Sequence, residues 1–155
     1  MTSPSTFLLT AEFISGLVPE RAKDSHKGTF GHLLTVCGSA GMGGAVNLTC
    51  LAALKNGAGL ATACVPNELR DSLPGQAPEI MTVTPHNAPE FFTEEHAEFV
   101  EQLAESHDAV VLGCGLGVHS QTAGFVQQLT KHLEGPLLID AVSYTHLTLP
   151  TIYSV

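Results

Sequence analysis

Four glycines fall within the seven residues Gly38 to Gly44, in the stretch Cys37-Gly38-Ser39-Ala40-Gly41-Met42-Gly43-Gly44-Ala45. The stretch follows the apolar run His32 to Cys37 and precedes a segment rich in Ala and Leu, so it marks a strand-to-helix junction. Glycines leave little bulk between a ligand and the backbone N–H groups, and a helix opening near Met42 adds the positive end of its dipole. Such a loop receives anionic groups. Gly38, Ser39, Gly41, Gly43 and Gly44 are therefore candidate ligand contacts. The competing reading is that these glycines only permit a tight turn and close helix packing. It is weaker at a junction this dense in glycine. No Gly-Lys-Ser or Gly-Lys-Thr closes the loop, which excludes a Walker A phosphate loop. A second loop, Gly113-Cys114-Gly115-Leu116-Gly117, follows another apolar run and adds Gly113, Gly115 and Gly117 as candidates.

Other chemically capable side chains carry less. The four cysteines, Cys37, Cys50, Cys64 and Cys114, have no Cys-x-x-Cys spacing and lie among apolar residues or glycines. They read as reduced thiols of a cytosolic protein, with nothing basic beside them in sequence to lower a thiol pKa. The eight histidines show no His-x-x-x-His pair and no cysteine neighbour at ligand spacing, so no metal site is expected. There is no Gly-x-Ser-x-Gly elbow. Lys27 reads equally as a phosphate contact and as a solvated lysine before a turn glycine. Glu79 is read as an exposed carboxylate just before a strand rather than as cleft lining. No catalytic residue is assigned, and neither Asp108 nor Asp140 is promoted to that role.

The elements that must position the two loops emerge from the pattern along the chain. Thr10 to Leu17 has helical spacing that stops before Pro19. His32 to Cys37 reads as a first buried strand, Ala45 to Lys55 as a well-buried helix with Gly57 as its cap, and Leu60 to Val65 as a second strand. Pro66 to Leu73 gives a short helix, Ile80 to Val83 a brief strand, and Thr93 caps a helix over Glu94 to Glu105. Asp108 to Leu112 is a fourth strand, Ser120 caps a helix to about Leu133, and Pro136 to Asp140 is a fifth strand. This alternation predicts an α/β fold with a parallel sheet, right-handed crossovers and helices on both faces. Ligands on such sheets bind beyond the strand carboxyl ends, where both glycine loops fall, so the two loops should line one cleft.

Composition bounds the rest. A length of 155 residues suits one domain, and 44% hydrophobic against 14% charged residues, with mean hydropathy +0.21, is apolar enough to suggest a buried partner surface. A net charge of -9 with only six Lys and Arg argues against nucleic acid or an anionic membrane as partner. No export signal and no membrane span is expected, which places the protein in the cytoplasm.

The segments His26-Lys27-Gly28-Thr29-Phe30-Gly31, Gly38 to Ala45, Ala53-Leu54-Lys55-Asn56-Gly57-Ala58-Gly59-Leu60, Ala77-Pro78-Glu79-Ile80-Met81 and Gly113 to Gly117 occur in a characteristic order. As a set, over roughly Phe13 to Ala141, they resemble the ADP-dependent NAD(P)H-hydrate dehydratase family, a branch of the ribokinase-like superfamily. Cys114 stands where that family usually has proline, and Val46 where a second Ala is common. The resemblance implies a parallel-stranded, three-layer ribokinase-like fold truncated after about five strands. It implies that hydrated NADH or NADPH is dehydrated while ADP (or ATP) serves as co-substrate with Mg2+, and that an NAD(P)H-hydrate epimerase is a functional partner. It makes Ala45 and Gly115 backbone contacts to the hydrated dinucleotide. The family's nucleotide loop and its Gly-Thr-Gly-Asp motif, which carries the catalytic base, belong to a following half. Whether the parent is a homo-oligomer stays open.

After Ala141 the pattern fails. Residues 142–155 hold both tyrosines and no helical periodicity, and they resemble translated sequencing-adaptor read-through. The chain is accordingly read as a partial domain over 1–141 with a foreign tail over 142–155. His146 lacks the Pro and Gly-Glu context of the family histidine near the substrate. Two other readings remain. One is a Rossmann-type NAD(P)-binding oxidoreductase domain, with Asp140 as a ribose-binding acid after the Gly113 loop, although Val118 stands where its fingerprint demands glycine. The other is a non-catalytic nucleotide-binding fragment.

Overall fold

The computed structural model describes residues 8–18, 20–73, 75, 77–141 and 143. In chain order its elements are α1 (Ala11–Leu17), β1 (His32–Val36), α2 (Gly43–Lys55), β2 (Leu60–Cys64), α3 (Asn67–Arg70), β3 (Met81–Val83), α4 (Ala97–Ala104), β4 (Ala109–Leu112), α5 (Ser120–His132) and β5 (Leu137–Ile139). Short 3₁₀ turns cover Lys27–Phe30 and Glu94–His96. All five strands pair in parallel, in the order β3-β2-β1-β4-β5. This is the expected α/β sheet, and among the described residues it is five strands wide as expected.

Strand alternation sends neighbouring residues to opposite faces, and each face has its own apolar cluster. Leu34, Val36, Val110 and Leu112 join Val100, Phe125 and Leu129, which places α4 and α5 on one face. Cys37, Ala61, Ala63 and Val65 join Val46, Cys50 and Leu69, which places α2 and α3 on the other. The result is three layers. Strands buried on both faces must be apolar throughout, which is why the runs were readable in sequence. No helix among the described residues is long and apolar enough to cross a membrane.

Several boundaries differ from the sequence expectation. Ile80 lies outside β3 because its N–H donates to the Ala77 carbonyl at 3.1 Å in a turn instead of joining the ladder. The helix expected from Glu94 begins as a 3₁₀ turn, because the Thr93 N–H donates to His96 Nδ1 at 2.9 Å and tightens that first turn. Ser120 is the first helical residue of α5 rather than its cap, a place His119 takes without a side-chain bond. Helix α3 stops at Arg70, short of Leu73. Only Val46, Asn47 and Cys50 of α2 are fully buried, and Leu48 is 73% exposed, so α2 is covered on one side only. Helix α1 forms, with the Thr10 hydroxyl accepting from the Phe13 N–H at 3.2 Å, but it buries none of its residues. The foreign-tail reading of 142–155 lies outside the described residues except for Ser143.

Candidate functional site

Chain order and strand order part at one place. The chain runs outward from β1 through β2 to β3, then returns across β1 to β4 and continues outward to β5. Connections leaving β1 and β4 therefore diverge, and such a switch point opens a crevice at the strand carboxyl ends. The segments that leave those two strands are the two glycine loops.

The loops touch along their length. The Gly38 N–H donates to the Cys114 carbonyl, and the Ser39 hydroxyl to the Gly115 carbonyl, both at 2.9 Å. Gly115 has φ of +74°, and a Cβ there would stand 2.9 Å from Ala45 Cβ and 3.2 Å from both Met42 Cβ and its carbonyl oxygen. Gly115 and Ala45 are thus in contact across 70 residues of sequence. Gly38 is equally constrained, since a Cβ would lie 2.6 Å from Leu69 Cδ1 and 2.7 Å from Val46 Cγ2. Gly113 packs against Asp140 and Ser143, and Gly117 faces Ser39 and His119. The two loops therefore lie side by side at the carboxyl ends of β1 and β4, as expected, with Gly38, Ser39, Gly41, Gly43, Gly44 and Ala45 in the first segment and Gly113, Gly115 and Gly117 in the second.

Packing accounts for some of these glycines but not for all. Gly44 is exposed in the first turn of α2, has no positive φ, and a Cβ there would meet nothing within 4 Å. The fold alone gives no reason for glycine at that position, where Ala would favour the helix by up to about 1 kcal/mol. Close approach of a ligand to the backbone does give one, next to first-turn N–H groups that lack intrahelical partners. The Ala45 N–H is already engaged by the Met42 carbonyl at 3.2 Å.

The rim was not readable in sequence. Phe91 stacks on His119 with ring centroids 4.2 Å apart and planes 13° from parallel, beside Gly117. The Ala40 N–H donates to the Glu90 carbonyl at 2.8 Å, which ties this segment to the first loop. Met42 beside the first loop and Val118 just after the second are exposed. Nothing in spacing marked Phe91 or His119, because the two are brought together only by the fold.

Other candidates fall elsewhere. The Lys27 carbonyl lies against Gly59, so Lys27 is at the amino ends of the strands, opposite the crevice, and is solvated. Asp108 lies at that end too, its carboxylate accepting the His32 N–H at 2.7 Å. Glu79 is exposed just before β3. Asp140 ends β5 next to Gly113, with its N–H donating to the Leu112 carbonyl at 2.9 Å. A depression of about 510 Å³ between α4 and the end of α5 is edged by Glu101, Glu105 and Glu134, whose charges disfavour an anionic ligand.

The expectation of four unremarkable thiols fails at one position. The neighbouring Cys37 thiol holds the Cys114 pKa down to about 6, against burial and the charge of Asp140; the Thr49 hydroxyl assists. Cys37 is correspondingly pushed well above the usual thiol value. Burial alone pushes Cys64 up to about 12. The missing signal is physical: a thiolate can be stabilised by a neighbouring thiol distant in sequence, not only by a base nearby.

The model of the NAD(P)H-hydrate dehydratase family matches residues 33–151. The chain belongs to that family. A bifunctional NAD(P)H-hydrate repair enzyme from Moorella thermoacetica is 36% identical over 146 residues, covering 93% of this chain and 27% of that protein. A ribokinase-like superfamily protein from Enterococcus faecalis superposes with a TM-score of 0.76 at 23% identity, covering 92% of this chain and 48% of that one. An ADP/ATP-dependent NAD(P)H-hydrate dehydratase from Bacillus subtilis, co-crystallised with ATP and Mg2+, gives 0.65 at 25% identity, covering 86% of this chain and 45% of that one. The fold is ribokinase-like, and the chain spans between a quarter and a half of the length of these relatives. Among the described residues no group of three or more His, Cys, Asp or Glu side chains could hold a metal ion.

Proposed function

We propose that this chain is the amino-terminal half of an ADP-dependent (S)-NAD(P)H-hydrate dehydratase and supplies the wall that holds the hydrated dinucleotide. The observation that supports this reading is the side-by-side placement of the two glycine loops at the switch point. There Ala45 and Gly115, the two backbone contacts implied by family resemblance, touch one another, and Gly44 is left bare without any packing reason. In the reaction, the ring hydroxyl of hydrated NADH or NADPH takes the terminal phosphoryl group of ADP. Phosphate then leaves in place of hydroxide, which is a poor leaving group, and the products are NAD(P)H, AMP and phosphate. Within this half, backbone amides orient the substrate, and the base and anion hole lie in the other half. The chain alone consequently binds but does not turn over, because binding without groups that stabilise the transition state cannot raise kcat.

The same reading places the protein in the cytoplasm, makes an NAD(P)H-hydrate epimerase its functional partner, and sets the end of native sequence near Ala141. The family match runs on to residue 151, so the transcript downstream of Ala141 decides where departure begins. A Gly-Thr-Gly-Asp motif encoded there is expected. The decisive assay compares ADP-dependent conversion of hydrated NADPH by residues 1–155 and by the length-restored protein. Turnover only in the restored protein is expected, and equal turnover in both would overturn the division of labour. Asp140 beside Gly113 keeps a hydride-transferring oxidoreductase as the second reading. However, the helix that opens directly from a glycine loop is α2, not α5, and Asp140 does not lie after β2. NADH-dependent reduction of a carbonyl substrate panel would favour that second reading.

A further inference from the structure

The ring of His119 is held in place at the surface by contacts that the fold itself does not need. It is exposed, it immediately precedes α5, and it lies on Phe91 with ring centroids 4.2 Å apart and planes 13° from parallel. Phe91 is in turn locked from both sides. The Glu90 carbonyl before it accepts from the Ala40 N–H of the first glycine loop at 2.8 Å, and the Phe92 carbonyl after it accepts from the Thr122 hydroxyl of α5 at 2.9 Å. Phe92 itself is fully buried and stacked on Phe125 at 5.0 Å. His119 also borders the second loop: a Cβ on Gly117 would stand 3.5 Å from its Cδ2 and 3.4 Å from Ser39 Oγ, so the ring sits where the two loops meet. Among the described residues neither ring nitrogen of His119 has a hydrogen-bond or ion-pair partner. An exposed imidazole that is oriented by stacking while its nitrogens stay free is a preorganised donor, with its rotamer entropy already spent.

We infer that His119, held by Phe91, donates a hydrogen bond to a phosphate group of the hydrated dinucleotide, an assignment that rests on the dehydratase reading. In a chain of net charge -9 an anionic ligand needs donors close at hand. The glycine loops offer backbone amides, and His119 adds a side-chain N–H whose bond to phosphate becomes charge-assisted when the ring takes a proton. Phe91 is a positioning residue: it keeps the imidazole from turning out into solvent. Because Ala40 belongs to the first loop, its bond to the Glu90 carbonyl sets Phe91, and through Phe91 the imidazole, in register with the loop glycines. The phosphate is either the pyrophosphate that joins the two nucleotides or the 2′-phosphate of the NADPH form, and the two hydrates tell these apart. Covering Phe91 is the competing role for His119, and any flat apolar ring would fill it.

The test titrates the 155-residue chain with hydrated NADPH and with hydrated NADH by calorimetry, and follows thermal melting of each variant. His119→Phe keeps a flat ring on Phe91 and removes the nitrogens, so it should bind hydrated NADPH about tenfold more weakly, the effect of one hydrogen bond to a charged group. His119→Gln, which keeps an N–H, should recover part of that loss, and Phe91→Leu, which frees the imidazole, should bind about threefold more weakly. Both His119 variants should melt within about 2 °C of the unaltered chain, since the side chain is exposed. Equal losses with the two hydrates assign the pyrophosphate, and a loss confined to hydrated NADPH assigns the 2′-phosphate. Undiminished binding by His119→Phe, or a loss matched by a fall in melting temperature of more than about 5 °C, would overturn the inference and leave the dehydratase reading standing. Failure of the unaltered chain to bind either hydrate would overturn both.

Discussion

Replacing Gly44 and Gly115 by alanine, one at a time, should shift stability in opposite directions. At Gly44 the backbone is helical and a Cβ meets open space within 4 Å. The exchange relieves the helical penalty of glycine, worth roughly 0.5 to 1 kcal/mol. At Gly115 the φ of +74° costs an L-residue about 1 to 2 kcal/mol. The new Cβ would also stand 2.9 Å from Ala45 Cβ and 3.2 Å from the Met42 carbonyl oxygen, atoms fixed to backbone that cannot rotate away. Adding overpacking of roughly 1 kcal/mol or more brings the loss to about 2 to 4 kcal/mol. For a chain of this size each kcal/mol moves Tm by about 2 to 4 °C, so Gly115→Ala should melt roughly 5 to 15 °C lower and Gly44→Ala a few degrees higher. Thermal melts followed by circular dichroism read both, and Ala45→Gly should restore part of the Gly115→Ala loss in a double-mutant cycle. In the length-restored protein, Gly44→Ala should weaken binding of hydrated NADPH despite its added stability. The reasoning is refuted if Gly44→Ala destabilises, if Gly115→Ala melts unchanged, or if a more stable Gly44→Ala protein binds the dinucleotide as well as before.

Leu138 on β5 is 59% exposed, so Leu138→Glu should change the stability of this chain by no more than about 0.5 kcal/mol. In a protein whose second half covers β5 it should cost about 2 kcal/mol or more, and equal costs in urea titrations of the two would show that nothing covers this strand. Alkylation of Cys114 by iodoacetamide should be half-maximal near pH 6, and Cys37→Ala should move that midpoint upward, because the Cys37 thiol is the main cause of the lowered value. An unmoved midpoint would exclude Cys37 as that cause. His32 has its pKa lowered below 6.5 by burial and then by the charge of His107, with Asp108 opposing. Its neutral form is the one the fold favours, so its contribution to stability is present above pH 6.5 and is lost as pH falls below it. His107→Gln should make urea-measured stability fall less steeply below pH 6.5, and an unchanged slope would refute the coupling.

Local chemistry along the chain determined the elements and one wall of the crevice. Apolar runs such as His32 to Cys37 read as strands buried on both faces, and four glycines after such a run read as an unusually bare loop. These features need no knowledge of the rest of the molecule, and they survive in the structure with boundaries moved by a residue or a few. Ends moved where a local bond competed with the pattern, as at Ile80 and Thr93. The order β3-β2-β1-β4-β5 is different in kind. Every strand here is apolar enough to pair with any other, so pairing is settled by which arrangement buries all of them at once under the helices that connect them. Only that choice sets β4 beside β1, and with it the contact of Gly115 with Ala45, the stack of Phe91 on His119 and the bond from the Gly38 N–H to the Cys114 carbonyl. The amino acids of the site are legible one by one, but their being a site is a property of strand order, because contacts between residues far apart in sequence exist only once the whole sheet is assembled.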